Sequence, residues 1–216
     1  MADILRAVFP RTLAGYFVKR TWIQNLDGLE NIPVDKPCIV IANHASYMDF
    51  LLLGTVFEYV LNRRLHFWAK PKVTAHPAFK ILAKYSHAIE VTANSPSTSF
   101  WEASTRFLSQ GDSVGIFPEG TRSRTGALGR FYSGYLRLAN ATRTPIVPAV
   151  LTNTFRMLPP GRNFPGRVKS SISFYPPVSF EREYSREELE AMNARIFTTY
   201  YSNNRSLTTH VDSKTN

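Results

Sequence analysis

Two hydrophobic periods alternate along this chain. Short, strand-like apolar runs are followed by longer stretches in which apolar positions recur every three to four residues. PCIVIANH, ending at residue 44, reads as a buried strand entered from Pro37, and SYMDFLLLGTVFEYVL at 46–61 as a helix. LHFWAK at 65–70 is a short strand, AHPAFKILAKYS a helix beginning near Pro77, and HAIEV at 87–91 another strand. SPSTSFWEASTRFLSQG carries Ser and Pro at its start and Gly111 at its end, the punctuation of a helix. SVGIF at 113–117 is a strand that stops at Pro118, and GYLRLANATR at 134–143 is helical. TPIVPAVL at 144–151 reads as a buried strand interrupted by Pro148, and the Pro-, Gly- and Arg-rich 156–167 as a loop. SSISFYPPV alternates as a strand until its two prolines. Ser185 with Glu188 forms a capping box for a last helix reaching about Tyr201. Strands and helices in this alternation predict a single α/β domain, with a mixed, largely parallel sheet flanked by helices.

The ends of the chain have a different texture. Ile4, Leu5, Val8 and Phe9 stand at helical spacing, Leu13 and Phe17 continue the stripe, and Arg6, Arg11, Lys19 and Arg20 lie beside it. Pro10 divides this segment. Two readings stay open: a helix lying in a membrane interface, or one packed on the domain. After residue 201 the sequence reads as a loose polar tail.

Composition narrows the classes. A chain of 216 residues with 44% hydrophobic and 13% aromatic content suits one globular domain. Cys38, the sole cysteine, excludes an internal disulfide and any multi-cysteine metal site. The formal charge is +10, and no acidic residue occurs between Gly120 and Phe180, where eight arginines and Lys169 do. Such a balance points to a polyanionic partner: nucleic acid, an anionic membrane surface or a phosphorylated substrate. No segment reaches the ~18 residues a spanning helix needs, since FLLLGTVF at 50–57 stops at Glu58. The N-terminal residues lack the continuous apolar core of a signal peptide.

The candidate chemistry begins at the end of the first buried strand. His44 stands where the strand turns into a helix, and Asp49 falls in that helix's first turn. In an α/β sheet this is where ligands bind. A carboxylate that fixes the tautomer of a histidine and supports its positive charge makes it a general base. The local alternative is structural, because Ser46 followed by Asp49 is also a capping box. No internal nucleophile suits this histidine. Cys38 shares its strand face but lies six residues, roughly 20 Å, away. Ser46 sits where a helix cap is wanted, and the chain holds no G-x-S-x-G elbow. The activated hydroxyl is therefore expected to belong to a substrate. A second segment, SVGIFPEGTRSR at 113–124, runs from a strand into a Pro-Glu-Gly turn and an arginine pair. Taken alone, Glu119 there has Arg122 as its natural ion-pair partner.

NHASYMD and FPEGTRS together resemble the glycerophospholipid acyltransferases, the lysophosphatidate-acyltransferase-like enzymes marked by N-H-x4-D and F-P-E-G-T-R. Ala69-Lys70 followed by Pro77, the segment HAIEV, Phe131 with Gly134, and Ile146-Val147-Pro148-Ala149 resemble weaker motifs of that family. The likeness covers roughly residues 25–180. It implies direct acyl transfer from an acyl-CoA or acyl-carrier-protein thioester to a hydroxyl of a lyso-lipid, with no cofactor and no metal. His44 would be the base and Asp49 its orienting partner. Glu119, Gly120, Thr121 and Arg122 would line the acceptor site, with Lys70 and Pro148 as further substrate contacts. Arg122 matches a phosphate by its fork of donors.

One departure stands out. Thr92, Ala93 and Asn94 lie where the family's second motif ends in a phosphate-binding arginine, and His87 replaces its leading glycine. Two acceptor readings follow: a lysophosphatidate-type acceptor held by another arginine of the acid-free segment, or a different lyso-phospholipid or lyso-aminolipid. A lipid substrate also turns residues 1–24 into an expected membrane-associating segment, ahead of an acyltransferase domain at 25–201 and the tail at 202–216. The expected location is the cytoplasmic face of a membrane, peripheral or monotopic. Rival readings are a thioesterase or lipid esterase using the same pair, and a basic nucleic-acid-binding domain. The latter rests on charge and on GALG at 126–129, and leaves both sharp motifs unexplained.

Overall fold

The computed structural model describes residues 13–69, 89–90, 97–159, 162, 164–204 and 207. Helix α1 occupies 13–22 and leads directly into β1, Ile23–Asp27. Then follow β2 (Ile39–Ala42), α2 (Met48–Thr55), β3 (Leu65–Ala69), β4 (Ile89–Glu90), α3 (Ser97–Ser109) and β5 (Ser113–Ile116). Helix α4 (Gly134–Thr142), β6 (Ile146–Leu151), the single turn α5 (Thr154–Met157), β7 (Ser170–Phe174) and α6 (Arg186–Ile196) complete the order. The helix expected from Pro77 lies outside the described residues.

The strands form one sheet in the order β1-β7-β6-β2-β5-β3-β4. Every neighbouring pair is parallel except β6–β7, which is antiparallel. This is the mixed, largely parallel sheet that the element alternation predicts. Helices cover both faces, so the central strands read as unbroken apolar runs rather than as alternations. All residues of β2 and β6 are buried. On one face Val40, Ala42, Val147 and Ala149 pack with Val18 of α1 and Leu52, Leu53, Val56 and Phe57 of and beyond α2. On the other, Ile39, Ile41, Ile146 and Val150 pack with Leu108 of α3, Leu136 and Leu138 of α4, and Leu189, Met192 and Ile196 of α6. The Ser185–Glu188 capping box starts α6, both of its reciprocal bonds being formed.

Two local expectations are corrected. Pro148 does not interrupt its strand, because β6 runs continuously through it. Residues in a strand direct N–H and C=O to the same side, and the Pro148 carbonyl accepts from the Tyr175 N–H at 2.9 Å. Its missing donor therefore faces β7 where the register slips by one, between Ala149↔Phe174 and the bridge Ile146↔Val178. The tail also does not loosen at 202. Beyond α6 the chain continues in a wider turn, Phe197–Ser202, whose buried Tyr201 donates its hydroxyl to the Ile41 carbonyl at 2.8 Å. Asn204 bonds the Tyr175 hydroxyl at 3.0 Å, and Leu207 packs on the same core.

Candidate active site

Three strand ends converge where β2 stops. Asn43 closes the strand by pairing its side-chain amide with the end of β6, donating to the Leu151 carbonyl and accepting the Leu151 N–H, each at 2.9 Å. This buried amide acts as one more ladder residue, so the backbone at His44 is anchored before it turns. His44 Nδ1 then meets Asp49 Oδ2 at 2.8 Å. The same oxygen accepts the N–H groups of Ala45 at 2.8 Å and Ser46 at 2.7 Å. Asp49 is fully buried in the first turn of α2, where the helix dipole favours negative charge. Asp49 thus holds the backbone N–H groups ahead of α2 and orients the imidazole in one geometry, but the expected Ser46–Asp49 capping box is not completed, because the Ser46 hydroxyl accepts the Met48 N–H and the Asp49 N–H donates to the Ser46 carbonyl.

That orientation decides the chemistry available. With Nδ1 donating to a carboxylate, Nε2 carries the lone pair, and Nε2 has no protein partner among the described residues. The ring is held flat on Phe117, with centroids 4.0 Å apart and planes within 14°. Internal nucleophiles are absent among the described residues around it. The Ser46 hydroxyl is buried, donating to the Leu158 carbonyl at 3.3 Å and accepting the Met48 N–H at 3.2 Å. Cys38 is buried beside Ser113, and that burial pushes its thiol up to about 11.

The second motif wraps the first. Gly120, with φ +65°, closes the Pro-Glu-Gly turn in the left-handed region, donating its N–H to the Phe117 carbonyl at 3.0 Å. Ser123 N–H donates to the His44 carbonyl at 2.8 Å. Glu119 is buried and does not pair with Arg122: Oε1 accepts the His44 N–H at 2.7 Å and Oε2 the Gly129 N–H at 2.8 Å. Burial pushes its carboxyl up to about 7, against the pull of these two amides and with Asp49's charge adding to the rise. The Arg122 guanidinium instead lies over the ring of Tyr47, 3.3 Å from its centroid. Asn43, His44, Ala45, Glu119, Ser123 and Leu128 line a small pocket here.

The structure therefore brings His44, Asp49, Glu119, Gly120 and Arg122 together, and leaves Thr121 exposed at the turn's outer side. Pro148 is not brought to the site. It is buried in mid-strand between Ile146 and Val150, on the face beneath α4 and α6, and supports the sheet. Lys70 lies outside the described residues, as do His87 and Thr92–Asn94 of the departing motif. Sequence reasoning passed over Asn43, Tyr47 and Phe117, all of them letters of the two sharp motifs whose work is visible only as contacts.

The model of a family described as Acyltransferase matches residues 24–152. A 1-acyl-sn-glycerol-3-phosphate acyltransferase of Brassica napus chloroplasts is 28% identical over 158 residues, covering 68% of this chain and 44% of its own length. The protein of the same name from Bacillus subtilis is 31% identical over 120 residues, 56% of this chain and 58% of its own. The chain thus spans under half the length of the plant relative. The crystal structure of PlsC, the 1-acyl-sn-glycerophosphate acyltransferase of Thermotoga maritima, superposes with a TM-score of 0.66 at 26% identity. That superposition covers 86% of this chain and 77% of PlsC.

Proposed function

The chain belongs to the acyltransferase family, and from that premise we propose that it is an O-acyltransferase, moving a fatty acyl chain from a thioester donor to the free hydroxyl of a 1-acylglycerol-3-phosphate-type lyso-lipid. The observation that carries the reading is the pairing of His44 Nδ1 with the fully buried Asp49, which leaves Nε2 as the lone-pair nitrogen. The names of the relatives favour the lysophosphatidate acceptor over other lyso-lipids.

In this reading the acceptor hydroxyl oxygen attacks the thioester carbonyl while its proton passes to His44 Nε2. Asp49 keeps Nδ1–H as a donor and offsets the charge the ring acquires. Collapse of the tetrahedral intermediate forms the ester and breaks the carbon–sulfur bond, and the leaving thiolate takes the proton from the imidazolium. No acyl-enzyme is needed. Arg122, turned face-on to Tyr47, presents its N–H edges to the acceptor phosphate and takes the place of the arginine missing from the second motif.

A lyso-lipid resides in a bilayer. Among the described residues no helix is long and apolar enough to cross one. Leu13, Tyr16 and Phe17 are exposed on α1 beside the exposed Lys19 and Arg20, which supports docking of residues 1–24 on the cytoplasmic face of an anionic membrane. Each cation near such a surface contributes about 1 kcal/mol.

The test is acyl transfer from labelled acyl-CoA and acyl-carrier protein to lysophosphatidate, glycerol-3-phosphate and other lyso-phospholipids, wild type beside His44→Ala. Acylated lysophosphatidate, lost in the variant, is the expected result. Free fatty acid without acylated lipid would make the protein a thioesterase. Turnover that survives His44→Ala would remove the histidine from the mechanism.

A further inference from the structure

The segment that carries Arg122 also encloses the peptide unit of the histidine. Ser123 N–H holds the His44 carbonyl, and Glu119 Oε1 holds the His44 N–H, so backbone donor and acceptor of one residue are both taken by a single turn. Resting on the reading of His44 as the base, we propose that Glu119 is a positioning residue, whose two carboxylate oxygens bind the backbone N–H groups of His44 and Gly129 and so fix the histidine against the 117–129 segment without touching the acceptor.

Three observations separate this role from direct acceptor binding. Both oxygens are already occupied by main-chain donors, one from a residue 75 positions away and one from a residue 10 positions away. The residue is 6% exposed, so its carboxylate faces the fold and not solvent. Its nearest cation in sequence, Arg122, is turned away over Tyr47. A carboxylate in direct contact with an anionic acceptor would also repel it, a cost that falls with the distance between the two charges. Gly129 belongs to the same device, since a Cβ there would lie 2.7 Å from Glu119 Oε2.

The chemistry requires a glutamate in its ionised form. Two N–H groups converge on one side chain, and only a carboxylate offers each an oxygen acceptor. Glutamine supplies one oxygen and sets its amide N–H against the other donor. Aspartate is one methylene too short to keep both bonds. Protonation likewise turns one oxygen into a donor and releases one amide. The titratable groups facing Glu119 are His44, Asp49, whose charge raises its pKa, and Tyr201 from the turn after α6. Acid therefore loosens the clamp as well as protonating the base.

The experiment compares kcat, acceptor KM and their pH dependence in wild type, Glu119→Gln and Gly129→Ala, with thermal unfolding as the folding control. Glu119→Gln is expected to lower kcat about 10- to 100-fold, the scale of a slightly misplaced base, with KM changed less than about threefold. On the acid side, log kcat should rise more steeply than one per pH unit just below the Glu119 titration in wild type, returning to a slope of one once that carboxyl is fully protonated, and should keep a slope of one throughout in the variant. Gly129→Ala displaces the same bond while keeping the carboxylate, and should repeat the kcat loss. An acceptor KM that moves while kcat holds would make Glu119 a substrate contact and overturn the proposal. So would kinetics that do not change. A substrate-free arm reads amide hydrogen exchange: Glu119→Gln should speed exchange at His44 and Gly129 at least about tenfold, and unchanged protection there sinks the clamp whatever the acceptor proves to be. His44→Ala run in parallel keeps the two ideas apart, because its retained turnover would strike the base and not the clamp.

Discussion

Two histidine–aspartate pairs stand at opposite ends of the same sheet. His44 follows the carboxyl end of β2 and meets Asp49 at 2.8 Å, while His66 is near the amino end of β3 and meets Asp112, just before β5, at 3.0 Å. Each imidazole lies flat on a phenylalanine, His44 on Phe117 at 4.0 Å and His66 on Phe107 at 3.7 Å. By pair distance and stacking they are nearly twins. The carboxylates differ. Asp49 is fully buried under three donors on one oxygen, whereas Asp112 is 18% exposed and also has Arg64 at 3.8 Å. The histidines differ in the opposite sense: the His66 side chain is 6% exposed and bonded through Nε2, and the His44 side chain is 16% exposed and bonded through Nδ1. A histidine–aspartate hydrogen bond is thus common property of a packed fold. It becomes a candidate base when it stands beyond the carboxyl ends of parallel strands, with one ring nitrogen left over and an arginine-bearing turn closed around it.

The comparison is most easily broken at the histidines themselves. His44→Ala should reduce turnover by roughly 10²- to 10⁴-fold with the unfolding temperature nearly unchanged, which steady-state kinetics and calorimetry check together. His66→Ala should do the reverse. It removes a buried, stacked and bonded ring, at a cost of about 1–3 kcal/mol in denaturant unfolding, and leaves turnover per folded molecule as it was. Equal losses of activity in the two variants would end the distinction.

Glu119 sharpens the contrast through pH. Its carboxyl is raised from 4.5 to about 7 in the fold, so between those values the folded protein binds a proton that the unfolded chain releases. Stability from this group therefore falls as pH rises through that window, by roughly 3 kcal/mol in all. Unfolding measured at pH 5 and at pH 7.5 should show the difference in wild type and lose most of it in Glu119→Gln. An unchanged pH dependence in the variant would show that burial there is not paid in proton affinity.

The smallest effect lies far from both pairs. Ser185→Ala removes the side-chain half of the capping box and should cost ~1 kcal/mol of stability with no kinetic consequence. A kinetic change there would mean that the turn after α6, whose Tyr201 holds the Ile41 carbonyl, transmits to the site.

Much of this was legible in the chain, for a physical reason. Strand and helix periods are local, so β2, α2, β5, α4 and α6 could be placed from hydrophobic spacing and punctuation alone. His44 and Asp49 are five positions apart in a strand-to-helix turn, a geometry that the backbone itself dictates, and Ser185 with Glu188 is equally local. The basic, acid-free stretch pointed to a polyanionic partner and the motif pair to a lyso-lipid acceptor, with its head group left open, before any contact was known.

What only the tertiary structure decided is whatever depends on neighbours distant in sequence. The continuity of β6 through Pro148 depends on a register slip in β7, which no reading of TPIVPAVL contains. The partners of Glu119 are main-chain amides of His44 and Gly129, and main-chain donors carry no sequence signature, so the local ion pair with Arg122 was the natural but incorrect expectation. Asn43, a letter of the first motif that sequence reasoning passed over, completes the ladder of β6 with its side-chain amide. Local periodicity determined the elements and set His44 beside Asp49; long-range packing chose which of two similar pairs faces a crevice, and what holds it there.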